Sequence, residues 1–263
     1  MTTSTTSALT PETSVAEAGR WRSCAATHPG AVRTTNQDRF VNRPDLGLWA
    51  VADGAGGHLD GGRAAGLIAA ALNAVAPGLG AGEVLSDARR RVLEAHAELV
   101  AEAADGPGLV ASTVVVLLIR SDHFACLWAG DSRAYLMRAG TLHRVTRDHS
   151  VVQELVDAGA IAAADAESHP NANVITRAVG AGEALLLDKV SDRVAPGDRF
   201  LLCSDGLFKA LDEARIAELV AVEDAAAAER LILAALEAQA TDNVTAVTVS
   251  VVAKSADPDA TVS

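Results

Sequence analysis

The chain has 263 residues, 49% of them hydrophobic and 21% charged, enough for one large domain with its own core or two small ones. Its 22 basic and 34 acidic side chains give a formal net charge of −12, which argues against a nucleic-acid or anionic-membrane surface, because both need a basic face. Cys24, Cys126 and Cys203 are far apart and form no Cys-x-x-Cys pair; they read as buried free thiols, not as a zinc site.

Residues 1–20 are rich in Thr, Ser and Ala, with neither a basic nor an apolar signal region, and read as a flexible tail. Residues 21–253 read as one domain and 254–263 as a second tail. Apolar runs bounded by Gly, Asp or Pro predict strands over 39–42, 47–52, 112–120, 123–129, 134–138, 185–190, 199–203 and 244–252. Turns at 120–123 and 138–141 suit hairpins. Helices are predicted over 63–76, ended by Pro77, and over 83–104, where Leu85, Ala88, Val92 and Leu99 share a face. Ser150-Val-Val-Gln153 is a capping box for a helix that Gly159 can close, and 213–220 and 224–240 are two more helices. Helix pairs between runs of strands indicate an α+β fold. The stretch 147–180 interrupts the strands and reads as an insertion of the kind that borders an active site. No apolar run approaches the roughly 18 residues of a membrane span, so a soluble, cytoplasmic protein is expected.

Four aspartates stand at strand ends. Asp53 closes the run Trp49-Ala-Val-Ala, Asp205 closes Phe200-Leu-Leu-Cys-Ser, Asp131 follows Leu127-Trp-Ala-Gly, and Asp242 stands just before the last strand. Strand ends can converge on one rim of a sheet. Carboxylates gathered there, with no cationic neighbour in sequence, need counter-charge, and hard oxygen donors suit Mg²⁺ or Mn²⁺. Asp-Gly and Asp-Asn are also ordinary turn dipeptides, but only Asp131 is placed for a simple hairpin. A fifth acid, Asp38, ends the segment Arg33-Thr-Thr-Asn-Gln-Asp38. Arg33 reads either as a solvated side chain or as a bidentate phosphate clamp.

Six segments in order, Arg33-Thr-Thr-Asn-Gln-Asp38, Val51-Ala-Asp-Gly-Ala-Gly-Gly-His58, Ala111-Ser-Thr113, Gly130-Asp-Ser-Arg133, Leu202-Cys-Ser-Asp-Gly206 and Asp242-Asn-Val-Thr245, resemble the protein phosphatase 2C family, the PPM class of metal-dependent Ser/Thr phosphatases. The resemblance covers about 21–252. It implies a four-layer α-β-β-α sandwich of two antiparallel sheets flanked by helix pairs. It also implies hydrolysis of phosphoserine and phosphothreonine by a metal-activated water. Carried over by position, Asp53 bridges two Mn²⁺ or Mg²⁺ ions, the Gly54 carbonyl binds one, and Asp205 and Asp242 bind the other. By the same resemblance Asp131 would hold a third, weaker ion, Asp38 would hold a metal-bound water, Arg33 would bind phosphate, and 147–180 would be the flap. The implied partners are phosphorylated proteins, namely a bacterial Ser/Thr kinase and its targets, met by a monomer. Much of 124–182 is similar to phosphatases associated with type VI secretion. Gln37, Ala55, Ala111 and Ser112 depart from the bacterial pattern without removing a carboxylate. Ala55 stands where eukaryotic relatives have a His, so the general acid is open, with His58 a candidate. Two other readings are a pseudophosphatase that binds phosphoproteins and a two-metal nuclease; the full aspartate set opposes the first, and the acidic balance opposes the second.

Overall fold

Two sheets face each other through an apolar layer, and alternate residues of the same strands face outward to helices. The computed structural model describes residues 11–18, 20–55, 61–105, 109–222 and 225–252. In chain order the first strands are β1 (Glu12–Ala18), β2 (Trp21–His28), β3 (Arg39–Arg43), β4 (Leu48–Ala52) and the short β5 (Gly54–Ala55). Helices α1 (Gly61–Asn73) and α2 (Ala81–Asp105) come next. They lead to β6 (Ala111–Ser112), β7 (Val114–Arg120), β8 (His123–Ala129), β9 (Arg133–Arg138) and β10 (Thr141–Arg144). After α3 (Val151–Asp157) come β11 (Asp188–Arg193), β12 (Arg199–Cys203), α4 (Asp205–Ala210), α5 (Glu213–Ala221), α6 (Ala227–Glu237) and β13 (Val244–Val251).

One sheet has the order β1-β2-β13-β12-β9-β10 and the other β11-β8-β7-β4-β3, with antiparallel neighbours throughout. Side chains alternate across a strand. Trp49, Val51, Val115, Leu117, Phe200, Leu202, Val247 and Val249 therefore form the layer between the sheets. Their neighbours Leu48, Ala50, Val116 and Leu118 pack outward with Ile68, Leu72, Val92 and Leu99 of α1 and α2. On the far side, Leu201, Cys203, Val244 and Ala246 pack with Leu207, Ile216, Leu231 and Ile232 of α4, α5 and α6. The result is the α-β-β-α sandwich. Because both faces of each sheet are covered, the central strands read as continuous apolar runs.

Several boundaries differ from the sequence reading. Glu12–Ala18, placed in the tail, is an edge strand on β2, paired from Glu12 with Thr27 to Ala18 with Trp21. β2 itself is absent from the predicted strands. The strand expected over 185–190 starts three residues later. Leu185 and Leu187 are buried against the α1–α2 layer, and pairing with β8 sets the register from Asp188 onward. At 138–141 the expected hairpin forms, with Ala139 and Gly140 both at positive φ. Ser150 caps α3, accepting the Gln153 N–H at 3.3 Å. Among the described residues no helix is long and apolar enough to cross a membrane.

Candidate metal centre

Antiparallel register decides where the carboxylates go. Cys203 at the end of β12 pairs with Ala246 near the start of β13 and with Arg133 at the start of β9. In the other sheet Ala52 at the end of β4 pairs with Arg39 at the start of β3, and Ala129 at the end of β8 pairs with Val114 at the start of β7. Asp53, Asp131 and Asp205 follow strand ends; Asp38 and Asp242 precede strand starts. Both sheets thus deliver acid to one edge of the sandwich. A cleft of about 670 Å³ opens there, lined by Asp53, Gly54, Asp131, Asp205 and Asp242 together with Arg33, Thr113, Asn173 and Lys209.

Local hydrogen bonds hold these groups in place. The Asp53 N–H donates to Thr113 Oγ1 at 3.2 Å, and the Asp53 carbonyl accepts from the Thr113 N–H at 2.8 Å and the Ser112 hydroxyl at 2.9 Å. This duty interrupts the strand expected over 112–120 at Thr113. At Gly54 an added Cβ would lie 2.3 Å from the Gly61 carbonyl oxygen, so only glycine lets the peptide pass beneath the start of α1. Asp38 is 1% exposed. Its Oδ2 accepts from the Ser204 and Thr245 hydroxyls, both at 2.7 Å, and no described donor reaches its Oδ1. The Asn243 side chain accepts the Gln37 N–H at 2.7 Å and donates to the Pro29 and Thr35 carbonyls at 3.0 Å each, pinning the loop that carries Arg33. Ser204, Thr245 and Lys209 are among the site residues to which the sequence reading gave no role. The first two at least lie inside the segments that carry the resemblance.

The cluster is electrostatically unbalanced. Burial, opposed by the Ser204 and Thr245 hydroxyls, raises the Asp38 carboxyl to about 6. Burial and then the charge of Asp205 raise Asp131 to about 7. Asp53 is pushed well above the usual carboxylate range by loss of hydration and then by Asp38, Asp205, Asp131 and Asp242. Two cations among the described residues answer this charge. The Arg33 fork grips Asp242, Nε to Oδ1 at 3.0 Å and Nη2 to Oδ2 at 2.9 Å. Lys209 Nζ lies 2.5 Å from Asp205 Oδ2 and 2.6 Å from Asn173 Oδ1. Burial lowers the Lys209 pKa, but Asp205 and Asp131 outweigh it and the net shift is upward.

With Asp242 and Asp205 turned to these partners, no three His, Cys, Asp or Glu side chains among the described residues form a ready-made cage. The donor chemistry nonetheless fits a hard divalent cation. It consists of carboxylates and a carbonyl, with a buried acceptor left bare on Asp38 and carboxylates that suppress one another's ionisation. His58 lies outside the described residues. Residues 147–180 leave the sheets and return over the cleft. Asn173 and Ile175 line it, Glu167 reaches Arg133 at 3.3 Å, and the Gly180 N–H donates to His96 Nδ1 at 3.1 Å.

The serine/threonine protein phosphatase PstP of Mycobacterium tuberculosis is 35% identical over 234 residues, 88% of this chain and 45% of PstP, so the chain spans less than half the length of that relative. Among solved structures, PppA of Pseudomonas aeruginosa, a key regulatory component of its T6SS, is similar with a TM-score of 0.82 at 38% identity, over 88% of this chain and 98% of PppA. The catalytic domain of PstP in complex with 2 manganese ions is similar with a TM-score of 0.76 at 32% identity, over 89% of this chain and 99% of that one. The model of the protein phosphatase 2C family matches residues 31–241. With that match over most of its length, this chain belongs to the protein phosphatase 2C family.

Proposed function

We propose that the chain is a metal-dependent protein serine/threonine phosphatase. The observation that carries this reading is the convergence of Asp38, Asp53, Asp131, Asp205 and Asp242 from both sheets on one edge, with only Arg33 and Lys209 beside them as described counter-charge. Asp53, the Gly54 carbonyl, Asp205 and Asp242 would hold two Mn²⁺ or Mg²⁺ ions. When bound, such a pair supplies Lewis-acid charge to phosphoryl oxygens and lowers the pKa of water. Asp38, with Oδ2 committed to two hydroxyls, keeps Oδ1 free to orient a water. The Arg33 fork, here matched to the two oxygens of Asp242, is equally matched to two phosphoryl oxygens. His58 is the candidate proton donor to the departing Ser or Thr oxygen.

A cysteine-based mechanism has no support. All three cysteines are buried, and burial pushes Cys203 up to about 12 and Cys126 higher still, far from a reactive thiolate. A binding-only role has none either, since every carboxylate of the pattern is present and converges. The likeness to the serine/threonine protein phosphatase PstP supports phosphorylated proteins as partners, and the likeness to PppA supports a part in regulating a type VI secretion apparatus; a bacterial Ser/Thr kinase would be the enzyme opposed.

The purified chain should release phosphate from a phosphothreonine peptide in Mn²⁺, fall silent in excess chelator and recover on adding Mn²⁺. In that assay Arg33→Ala should raise KM more than it lowers kcat, because the fork binds phosphate before and during the reaction. Turnover indifferent to chelator would overturn the proposal. An unchanged KM would return Arg33 to the role of a solvated partner of Asp242.

A further inference from the structure

Lys209 stands one helical turn after Asp205 on α4 and projects into the cleft that Asp205 and Asp131 share. Its Nζ is 2.5 Å from Asp205 Oδ2 and 2.6 Å from Asn173 Oδ1 of the segment over the cleft. Lys209 and Asp131 also both line a neighbouring cavity of about 570 Å³ beneath that segment, and the Asp131 charge acts on the ammonium. Its helix is well anchored: Leu207 is fully buried and Phe208 nearly so, the latter with the Arg133 guanidinium 3.5 Å above its ring. The side chain is only 28% exposed. Arg33 is the other described cation of the cleft, and it is held at the opposite carboxylate, Asp242.

Asp131 and Asp205 are the pair at which the resemblance implied a third divalent ion. In this chain a positive charge already stands there, with two of its three donors satisfied by Asp205 and Asn173. A third divalent ion at the same place would meet a like charge.

We infer that Lys209 is a built-in cation that replaces the third metal ion at Asp131 and Asp205, leaving a centre for two ions only. Asp131 then serves as a counter-charge to Lys209, not as a metal ligand. The inference rests on the two-ion reading of Asp53, Gly54, Asp205 and Asp242.

The test is the number of Mn²⁺ ions bound per folded chain, counted by titration calorimetry and native mass spectrometry. It compares the wild type, Lys209→Gln, Lys209→Ala and Lys209→Gln combined with Asp131→Ala, with a melting curve for each. The wild type should bind two ions. Either neutral variant that folds should gain one further, weaker ion, and the added Asp131→Ala should remove it. A wild type that binds three ions overturns the replacement and leaves the two-ion reading intact. Neutral variants that stay at two also overturn the replacement. A wild type that binds fewer than two defeats the two-ion reading and the replacement with it.

Discussion

Asp53→Asn should lose nearly all Mn²⁺-dependent phosphate release and yet melt no lower than the wild type in chelator. The two expectations share one cause. Asp53 carries a charge that loss of hydration and four neighbouring aspartates all disfavour, so neutralising it relieves repulsion in the folded state. That same charge is the one two bound ions would share. Removing a single electrostatic stabiliser commonly costs about 10²–10³ in rate, and a bridging carboxylate should cost at least that. In saturating Mn²⁺ the order reverses. The wild type should gain about 2.7 kcal/mol of stability at a metal concentration near 100 times Kd, while the variant gains little. Melting curves with chelator and with Mn²⁺, run beside the assay, separate this from simple unfolding. A variant that is destabilised in chelator, or that keeps wild-type turnover, contradicts the role given to Asp53.

Gly206→Ala should damage stability and metal binding together. A Cβ there would fall 2.1 Å from the Asn243 carbonyl oxygen and 3.2 Å from Val244 Cγ2, so α4 and the start of β13 must separate. Overpacking of this kind costs about 1–3 kcal/mol. The displaced segments carry Asp205 and Asp242, and the Asn243 side chain ties the Arg33 loop to the same point. A methyl group that never touches an ion should therefore weaken Mn²⁺ affinity as well as lower the melting temperature. Unchanged values of both would show that the contact between α4 and β13 does not set the spacing of the two carboxylates.

How much of this was legible in sequence depended on whether a feature was local. The central strands declare themselves because both faces are buried; Trp49, Val51, Phe200 and Leu202 and their outward neighbours leave no polar gap. β2 does not, because Arg22, Ser23, Thr27 and His28 dilute the pattern. Its centre is Ala25 and Ala26, poor strand formers that are fully buried by β13 and the layers above and below. β1 has an exposed, alternating sequence that only the pairing with β2 makes a strand. Asp131 fits a hairpin turn in sequence, and it does sit between β8 and β9, yet it is only 7% exposed and faces the other acids. The bonds from Ser204 and Thr245 to Asp38 span 166 and 207 residues, and no periodicity reports such a distance. Lys209 reads in sequence as an ordinary helical lysine. Its meaning comes from the cleft into which α4 projects.

The most direct measurement is anomalous scattering from crystals of the chain grown or soaked in Mn²⁺. Manganese peaks should appear at the sandwich edge, bounded by Asp53, the Gly54 carbonyl, Asp205 and Asp242, with Arg33 released from Asp242. Crystals that take up manganese elsewhere and leave that edge without a peak, while the same protein still releases phosphate, would contradict the assignment of these carboxylates as the catalytic metal centre.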